Sequence, residues 1–338
     1  MIIEATEKLA RRENLSTEEM QMVMEEIMSG QAQTEYIVAF LERLSEKTET
    51  VEEITAAAKV MRAHAIKVKV DKEIILDTCG TGGDCKGTFN VSTISAFVIA
   101  GCDITVAKHG NRSVSSSCGS ADILEAVGVN ISAPKENIEH CLQQIGIAFL
   151  FAPLFHPAVK YAMPARKQIG RRTIFNILGP LCNPANTTHQ VIGVFDAHYV
   201  PILAQVAGNL GIKRVMVVHG KDGLDEITLT DTTEVAEFIN GELSVYQITP
   251  EEFGFRRVNL EDLEGGDIND NVQIMLEVLN GKSGVYRDMT VFNAAAALYV
   301  AGKAQSIRDA IALAIDSIDS GRALKKLALL KQLSHERI

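Results

Sequence analysis

The sequence lacks several patterns that would each assign it to a familiar class of protein. It has no tryptophan, and only 5% of its 338 residues are aromatic. Its longest apolar runs, at residues 94–102 and 294–301, are far shorter than the roughly 18 residues of a membrane span. The first residues also lack the basic segment and apolar core of an export signal. These absences predict a cytoplasmic protein that does not act in the membrane.

The six cysteines do not form the pattern of a disulfide framework or of a zinc site. No two of them make a Cys-x-x-Cys pair, and their spacing fits no common zinc motif. A chain of this length with 46% hydrophobic residues can bury a large core without disulfide bonds. We therefore predict free thiols, as in most cytosolic proteins.

Acidic residues are missing from one stretch of an otherwise acidic chain. The 43 acidic and 33 basic residues leave a net charge of -10, which argues against a nucleic-acid partner because phosphates require a basic face. Residues 140–195, which we call the acid-free segment, contain five Lys or Arg and no Asp or Glu. That segment carries +5, so the rest of the chain carries -10 - 5 = -15. This asymmetry predicts a site for a small anion.

The order of predicted elements divides the chain into a helical start and an α/β remainder, in keeping with about two domains. Residues 16–19 and 50–53 are capping boxes, each followed by apolar residues at helical spacing. The methionines of the first such helix line either a partner groove or a small helical core. After residue 70, short apolar runs alternate with helix-length segments, which predicts a mostly parallel sheet. The predicted strands are residues 74–76, 104–107, 147–151, 191–195 and 215–218, and helices return from residue 271.

A glycine-rich loop follows the first predicted strand, where ligands bind in parallel sheets. Residues 77–84 read Asp-Thr-Cys-Gly-Thr-Gly-Gly-Asp, and such glycines let backbone N–H groups surround a phosphate. The next helix opens with Asn90, Ser92 and Thr93, and its amino terminus favours an anion. The loop is neither a dinucleotide fingerprint, since Cys85 stands where a glycine is needed, nor a P-loop, since no Lys-Ser/Thr pair follows Gly87.

A second loop, residues 108–120, follows the next predicted strand. It contains two cations, an imidazole, an amide and five hydroxyls, among them Ser115, Ser116 and Ser117. This density of donors suits a pyrophosphate or a sugar phosphate. Its imidazole, His109, serves either the ligand or the protein's own hydrogen bonding. No Ser-His-Asp arrangement is evident, so we predict no covalent nucleophile.

Two further elements complete the predicted chemistry. Asp225 and Glu226 lie in a turn after a predicted strand, and adjacent carboxylates are suitable ligands for Mg²⁺. In the acid-free segment, arginines 166, 171 and 172 could grip a carboxylate in a bidentate manner, whereas Lys160 and Lys167 read as exposed helix cations. Phosphate loops, a metal turn and a carboxylate site together indicate a two-substrate enzyme that moves a phosphorylated group.

Seven ordered motifs resemble those of the anthranilate phosphoribosyltransferase family, and the resemblance extends over nearly the whole chain. They are Asp-Thr-Cys-Gly-Thr-Gly-Gly-Asp at 77–84, Asn-Val-Ser-Thr at 90–93, Lys-His-Gly-Asn-Arg at 108–112, Gly-Ser-Ala-Asp at 119–122, Arg-Arg-Thr-Ile-Phe-Asn at 171–176, Gly-Pro at 179–180 and Gly-Leu-Asp-Glu at 223–226. Pyrimidine nucleoside phosphorylases, which share the Lys-His start of the second loop, remain an alternative. A non-catalytic, nucleic-acid-binding relative is another, although the acidic chain and the retained Asp225-Glu226 pair disfavour it.

The resemblance implies a small helical domain at 1–70, joined by part of 165–186, and a large α/β domain at 71–338, paired as a homodimer through the small domain. It also implies the reaction of anthranilate with 5-phosphoribosyl 1-diphosphate, which yields N-(5-phosphoribosyl)anthranilate and pyrophosphate in tryptophan biosynthesis. Implied contacts of the diphosphate substrate are Gly80, Thr81, Gly82, Gly83, Asp84, Thr88, Asn90, Ser92, Thr93, Lys108 and Ser120. Implied contacts of anthranilate are Gly80, His109, Asn111, Arg166 and Pro180. Ser92, Asp225 and Glu226 would serve two Mg²⁺ ions.

Overall fold

The chain forms a helical region followed by a seven-stranded sheet covered by helices. The structure, a computed structural model, describes residues 1–113 and 118–336; Ser115, Ser116 and Ser117 of the second loop therefore lie outside the described residues. The strands occur in the order β3-β2-β1-β4-β5-β6-β7. The expected fold class, a helical amino-terminal part with a large α/β part, is confirmed. The strands are β1 Ile75–Asp77, β2 Thr105–Gly110, β3 Ile147–Phe151, β4 His189–Gly193, β5 Arg214–Gly220, β6 Thr233–Ile239 and β7 Glu242–Ile248.

Four helices make up the start of the chain, as the capping boxes predict. Both boxes form, with the hydroxyls of Ser16 and Thr50 accepting from the backbone N–H of Glu19 and Glu53. Met20 and Met24 are completely buried. These methionines therefore belong to a helical core and not to an exposed groove. The four helices are α1 Ile2–Ala10, α2 Thr17–Met28, α3 Thr34–Lys47 and α4 Val51–Ala63.

The apolar faces of these helices pack against part of the acid-free segment. One hydrophobic cluster joins α1–α4 to Ala162, Ala165 and Phe175, and it continues to Leu203 and to the β4–β5 face of the sheet. A second cluster fills the opposite face of the sheet. The acid-free segment thus connects the helical start to the sheet.

The remaining helices connect the strands or cover the sheet. Each predicted parallel strand exists, and β1–β5 pair in parallel register. Among the described residues, no helix is long and apolar enough to cross a bilayer, and all six cysteines are free. The helices are α5 Val91–Gly101, α6 Ser120–Ala126, α7 Lys135–Gln144, α8 Ala152–Phe155, α9 Met163–Ile169, α10 Phe175–Leu178, α11 Tyr199–Asn209, α12 Ile268–Leu279, α13 Val285–Val300, α14 Ile307–Asp319 and α15 Arg322–Leu333.

The antiparallel hairpin β6–β7 is the main feature that the strand pattern did not predict. Its strands pair from Thr233–Ile248 to Ile239–Glu242 and extend the sheet beyond β5. The turn is Asn240-Gly241, in which both residues have positive φ angles of 53° and 91°. Asn-Gly is a strong hairpin signal, so the turn was visible in the sequence. The strands were less so, because the apolar residues of β7 alternate with polar ones and do not form a continuous apolar run, and most of the strand is exposed.

Candidate active site

The glycine-rich loop leaves the carboxyl end of β1 and is held against β4. The backbone N–H of Thr81 donates to the carbonyl of Gly193 at 2.8 Å, and the Thr81 hydroxyl accepts from the N–H of Phe195 at 3.1 Å. Gly82 and Gly83 have φ angles of +62° and +81°, a conformation that side chains disfavour. Thr81 thus anchors the loop to β4, and the glycines that follow leave room for a ligand.

A buried carboxylate, Asp77, ties three segments together beneath this loop. Its Oδ1 accepts from the backbone N–H of His109 at 3.1 Å, and its Oδ2 accepts from the side-chain amide of Asn183 at 2.8 Å. Burial raises the pKa of Asp77 to about 6, although Lys108 and these donors oppose the shift. Asp77 therefore fixes the end of β1 relative to β2 and to the acid-free segment.

Lys108 brings a buried cation to the loop from β2. Its Nζ lies 3.3 Å from the Thr78 carbonyl oxygen and 3.2 Å from the Ser92 Oγ, and the side chain is almost fully buried. Ser92 lies in the first turn of α5, and Asn90, at the N-cap, accepts from the Thr93 hydroxyl at 2.6 Å. The cation, the hydroxyl and the positive end of α5 therefore converge on one place, which favours an anion.

The acidic turn after β5 faces this cation and the glycine-rich loop. A Cβ built on Gly80 would lie 3.2 Å from the Asp225 Oδ2. Burial, and then the charge of Asp84, raise the pKa of Asp225 to about 7. Burial and the charge of Asp225 raise the pKa of Glu226 well above its usual range. One small cavity is lined by Thr78, Gly80, Ser92, Asp225, Glu226 and Asn293, among others.

This donor set fits a divalent cation. Asp84, Asp225 and Glu226 repel one another, burial disfavours the charge of Asp225 and Glu226, and Lys108 is a cation that offsets this repulsion for Glu226. A bound metal ion would relieve that repulsion, and carboxylate and hydroxyl oxygens are the ligands that Mg²⁺ prefers. The Ser92 hydroxyl adjoins the same cavity.

The second loop begins at the end of β2 and returns at α6. Arg112 pairs with Asp122 at 2.9 Å and with Glu125 at 2.8 Å, so it is not a free cation for a ligand. The carbonyl of Asn111 accepts from the N–H of Ala121 at 3.2 Å, which brings the start of the loop next to α6 and Ser120. Among the remaining predicted contacts, Thr88 forms an isolated β-bridge with Glu264.

Two histidines form a neutral pair at the ends of β2 and β3. The rings of His109 and His156 lie 5.1 Å apart, and both residues are buried. Their ring nitrogens face the backbone of Gly179 and Cys182, but they make no close hydrogen bond to any described residue. Burial lowers the pKa of His109 to about 3 and that of His156 to about 4. The pair is therefore buried, with ring nitrogens that no described residue satisfies.

The cations of the acid-free segment have different environments. Arg166, on α9, is half-buried above the ring of Phe175 at 5.5 Å, and burial lowers its pKa. Within the described ranges its guanidinium has one hydrogen-bond contact, the Met163 sulfur at 3.8 Å, so it retains donors for a carboxylate. Lys160 and Lys167 are exposed, as predicted.

The two neighbouring arginines do not join Arg166 as a carboxylate grip. Arg171 pairs with Glu42 of α3 at 3.3 Å. Arg172 lies 4.0 Å above the ring of Phe195 and donates to the carbonyl of Gly83, so it contacts the glycine-rich loop instead. Pro180 is buried, and its carbonyl accepts from Gln190 at 2.8 Å.

The structure also adds residues to the site that the sequence analysis did not select. His156 lies close to the carboxyl end of β3, and the carboxyl ends of parallel strands are where ligand contacts are expected. Asn183 supports Asp77, and Gly193 adjoins both the glycine-rich loop and the acidic turn. Asn293 comes from α13, far along the chain, and no local pattern connects it to the turn.

Comparison with known proteins identifies the family of this chain. Residues 72–324 match the model of the glycosyl transferase family α/β domain, and residues 3–65 match that of its helical bundle domain. An anthranilate phosphoribosyltransferase of Alkaliphilus metalliredigens is 51% identical over 99% of both chains. The chain belongs to the anthranilate phosphoribosyltransferase family. A relative of that name from Syntrophobacter fumaroxidans is 50% identical over 99% of this chain and 100% of its own.

Solved structures of anthranilate phosphoribosyltransferases have the same fold. The Thermus thermophilus structure superposes with a TM-score of 0.93 at 39% identity, covering 98% of this chain and 99% of its own. The Saccharomyces cerevisiae structure in complex with PRPP and Mg has a TM-score of 0.91 at 27% identity, covering 98% of this chain and 97% of its own. A further yeast structure contains 4-fluoroanthranilate.

Proposed function

We propose that this chain transfers the 5-phosphoribosyl group of 5-phosphoribosyl 1-diphosphate to the amine of anthranilate, with release of pyrophosphate, in tryptophan biosynthesis. One observation carries the proposal above all. The glycine-rich loop after β1 and the pair of carboxylates after β5 line one cavity, and the buried Lys108 of β2 contacts Ser92 in its wall. These features occur in a chain similar over its full length to enzymes of that name.

The diphosphate substrate would bind where the loop, α5 and Lys108 meet. We assign its contacts to backbone N–H groups and hydroxyls, with Lys108 opposite the leaving pyrophosphate, because fixed donors stabilise charge that develops in the transition state. The proposed set is Gly80, Thr81, Gly82, Gly83, Asp84, Thr88, Asn90, Ser92, Thr93, Lys108 and Ser120. Its local charges are nearly balanced, so dipoles and hydrogen bonds would do most of the binding.

Ser92, Asp225 and Glu226 would hold Mg²⁺, and we propose two ions. When bound, the metal neutralises the negative charge of the departing pyrophosphate. Asp84 faces Asp225, so its carboxylate would supply a third acidic group for the second ion that we propose. Without that countercharge, burial and mutual repulsion raise the pKa values of Asp225 and Glu226.

Anthranilate would bind on the side of the acid-free segment. Arg166 would orient its carboxylate, with Gly80, His109, Asn111 and Pro180 around its path. The anthranilate amine is itself the nucleophile, so the protein contributes orientation rather than a covalent residue. The neutral His109 ring would neither repel nor protonate that amine, because its pKa is lowered to about 3. We expect inversion at the ribose carbon.

The same proposal includes the domain arrangement, the oligomeric state and the location of the protein. Residues 1–70 with part of 165–186 would form the small domain, and residues 71–338 the large one. We further propose a homodimer that pairs through the small domain, and a cytoplasmic location. The hydrophobic cluster shared by α1–α4 and residues of the acid-free segment supports this grouping.

The test is a fluorescence assay of anthranilate consumption. Adding 5-phosphoribosyl 1-diphosphate and Mg²⁺ to the protein should abolish anthranilate fluorescence, and EDTA should prevent the loss. Phosphorolysis of a pyrimidine nucleoside, assayed in parallel, should be undetectable. Nucleoside cleavage without anthranilate consumption would replace the proposal with the phosphorylase alternative.

A further inference from the structure

The turn that carries Asp225 and Glu226 is braced on its amino-terminal side by Asp222. The Oδ1 of Asp222 accepts from the backbone N–H of Leu224 at 3.0 Å. Its Oδ2 accepts from the hydroxyls of Thr228 and Thr230. This single carboxylate therefore connects the residues before the pair to the residues after it.

A second brace comes from α13. The Oδ1 of Asn293 accepts from the backbone N–H of Ile227 at 3.0 Å, and its Nδ2 donates to the carbonyl of the same residue at 2.8 Å. The Nδ2 also donates to the Met289 carbonyl at 3.0 Å, which fixes the amide on its own helix. Both backbone groups of the residue that follows Glu226 are thereby held by one side chain.

Asn293 also belongs to the wall of the carboxylate cavity. It lines that cavity together with Asp225, Glu226 and Ser92, and only 4% of its surface is exposed. Its amide is uncharged and has all its strong contacts with backbone, so it suits a supporting role better than that of a metal ligand. Supporting groups of this kind set the orientation of metal-binding carboxylates, and removing them typically weakens metal binding 10- to 100-fold.

We propose that Asn293 is a positioning residue for the proposed Mg²⁺ site: by holding Ile227 at both backbone groups, it sets the direction of the Asp225 and Glu226 carboxylates. This inference rests on the proposed function, because it assumes that these carboxylates serve Mg²⁺ in diphosphate binding. It assigns a role in that site to α13, which contributes no residue to the proposed substrate contacts.

The experiment measures diphosphate binding as a function of Mg²⁺. 5-Phosphoribosyl 1-diphosphate is titrated into the full chain by calorimetry at a series of Mg²⁺ concentrations, with anthranilate omitted so that no turnover occurs. We expect Asn293→Ala to move the Mg²⁺ concentration for half-maximal affinity upward by about 10-fold or more, with near-normal affinity restored at saturating Mg²⁺. A purely structural defect would not be corrected by the metal.

Asn137→Ala is the matched control. Asn137 is likewise 4% exposed on a helix, and its amide donates to the carbonyls of Leu333 and Glu336 far along the chain. It should lose a comparable part of its thermal stability, and its Mg²⁺ midpoint should stay within about twofold of the unaltered protein.

Each outcome bears on the proposal. A cooperatively melting Asn293→Ala protein with an unchanged Mg²⁺ midpoint would overturn it, as would weak binding that saturating Mg²⁺ does not restore. If alanine prevents folding, Asn293→Ser is measured in the same way. If neither variant folds, hydrogen exchange of a peptide spanning residues 224–230 in the unaltered protein must slow when Mg²⁺ and the diphosphate are added, and unchanged exchange would refute the inference. Diphosphate binding by the unaltered protein that ignores Mg²⁺ would instead contradict the proposed function itself.

Discussion

Gly193, the last residue of β4, offers the most direct test of how the sheet places the acidic turn. A Cβ built on Gly193 would lie 1.5 Å from the carbonyl oxygen of Asp225. The backbone conformation of Gly193 is ordinary, so an alanine would be strained only by this contact. Gly193→Ala should therefore displace the acidic turn, although it removes no charged group from the site.

The size of the effect follows from the geometry. An ordinary contact of a Cβ with an oxygen is about 3.4 Å or longer, so the Asp225 carbonyl and the Gly193 backbone must separate by roughly 2 Å. Overpacking of this kind costs about 1–3 kcal/mol of stability. A displacement of about 1 Å at reacting groups can reduce the rate about 100-fold, so we expect kcat/KM to fall at least that far.

The assay compares Gly193→Ala with Gly101→Ala. A Cβ on Gly101 would meet the Ser317 hydroxyl at 2.1 Å and the backbone N of Ala323 at 2.9 Å, so it also overpacks the core. Gly101 ends α5, about 14 Å along the helix axis from Ser92. Both variants should melt at a lower temperature, but only Gly193→Ala should raise the KM for the diphosphate and the Mg²⁺ requirement.

Two results would refute this reasoning. One is a Gly193→Ala enzyme with unchanged kcat/KM, which would mean that the turn yields without consequence. The other is an equal loss of kcat/KM in both variants, which would make the effect a general loss of packing. Either result would show that the contact between Gly193 of β4 and Asp225 does not control the position of the acidic turn.

Two further predictions concern the anthranilate side. Arg166→Ala should raise the anthranilate KM roughly 10- to 100-fold, the value of a charge-assisted hydrogen bond, and leave the diphosphate KM within about threefold. Lys167→Ala on the same helix should change neither, and equal increases for both substrates would contradict the assignment of Arg166. The pKa of His156 is lowered to about 4, so between that value and about 6.5 the unfolded state binds more protons and stability is lost as the pH falls. The free energy of unfolding, measured by urea denaturation, should fall by roughly 2 kcal/mol less between pH 7 and pH 5 in His156→Gln than in the unaltered protein. An equal fall in both proteins would be inconsistent with a buried, neutral His156.

Features encoded in short segments were predictable from the chain alone. The capping boxes at Ser16 and Thr50 formed as expected, because a cap depends on residues three positions apart. The five parallel strands and the glycine-rich loop between β1 and α5 were likewise visible as local patterns. Ligands of parallel sheets bind at the carboxyl ends of the strands, and Lys108 and Asp225 do lie at those ends.

Features that depend on contacts between distant segments were not predictable in this way. Arginines 171 and 172 looked equivalent to Arg166 in the sequence, yet one pairs with Glu42 and the other contacts Gly83. His156 follows β3 and the short helix α8, and its ring lies 5.1 Å from that of His109 on β2, although these residues lie far apart in the chain. The residues that neighbour these arginines and histidines in the sequence do not indicate which contacts each will make.

The sequence by itself determined the class of fold, the glycine-rich loop and the acidic turn, since each depends on short runs of residues whose backbone preferences and charges act locally. Only the tertiary structure decided the electrostatics of the site. Burial beneath β1, β2 and β5 raises the pKa values of Asp77, Asp225 and Glu226, whereas the same residues in an open loop would keep ordinary ones. Desolvation and the approach of Asn293 and Gly193 depend on what the fold packs around the turn, and that information lies in distant parts of the chain.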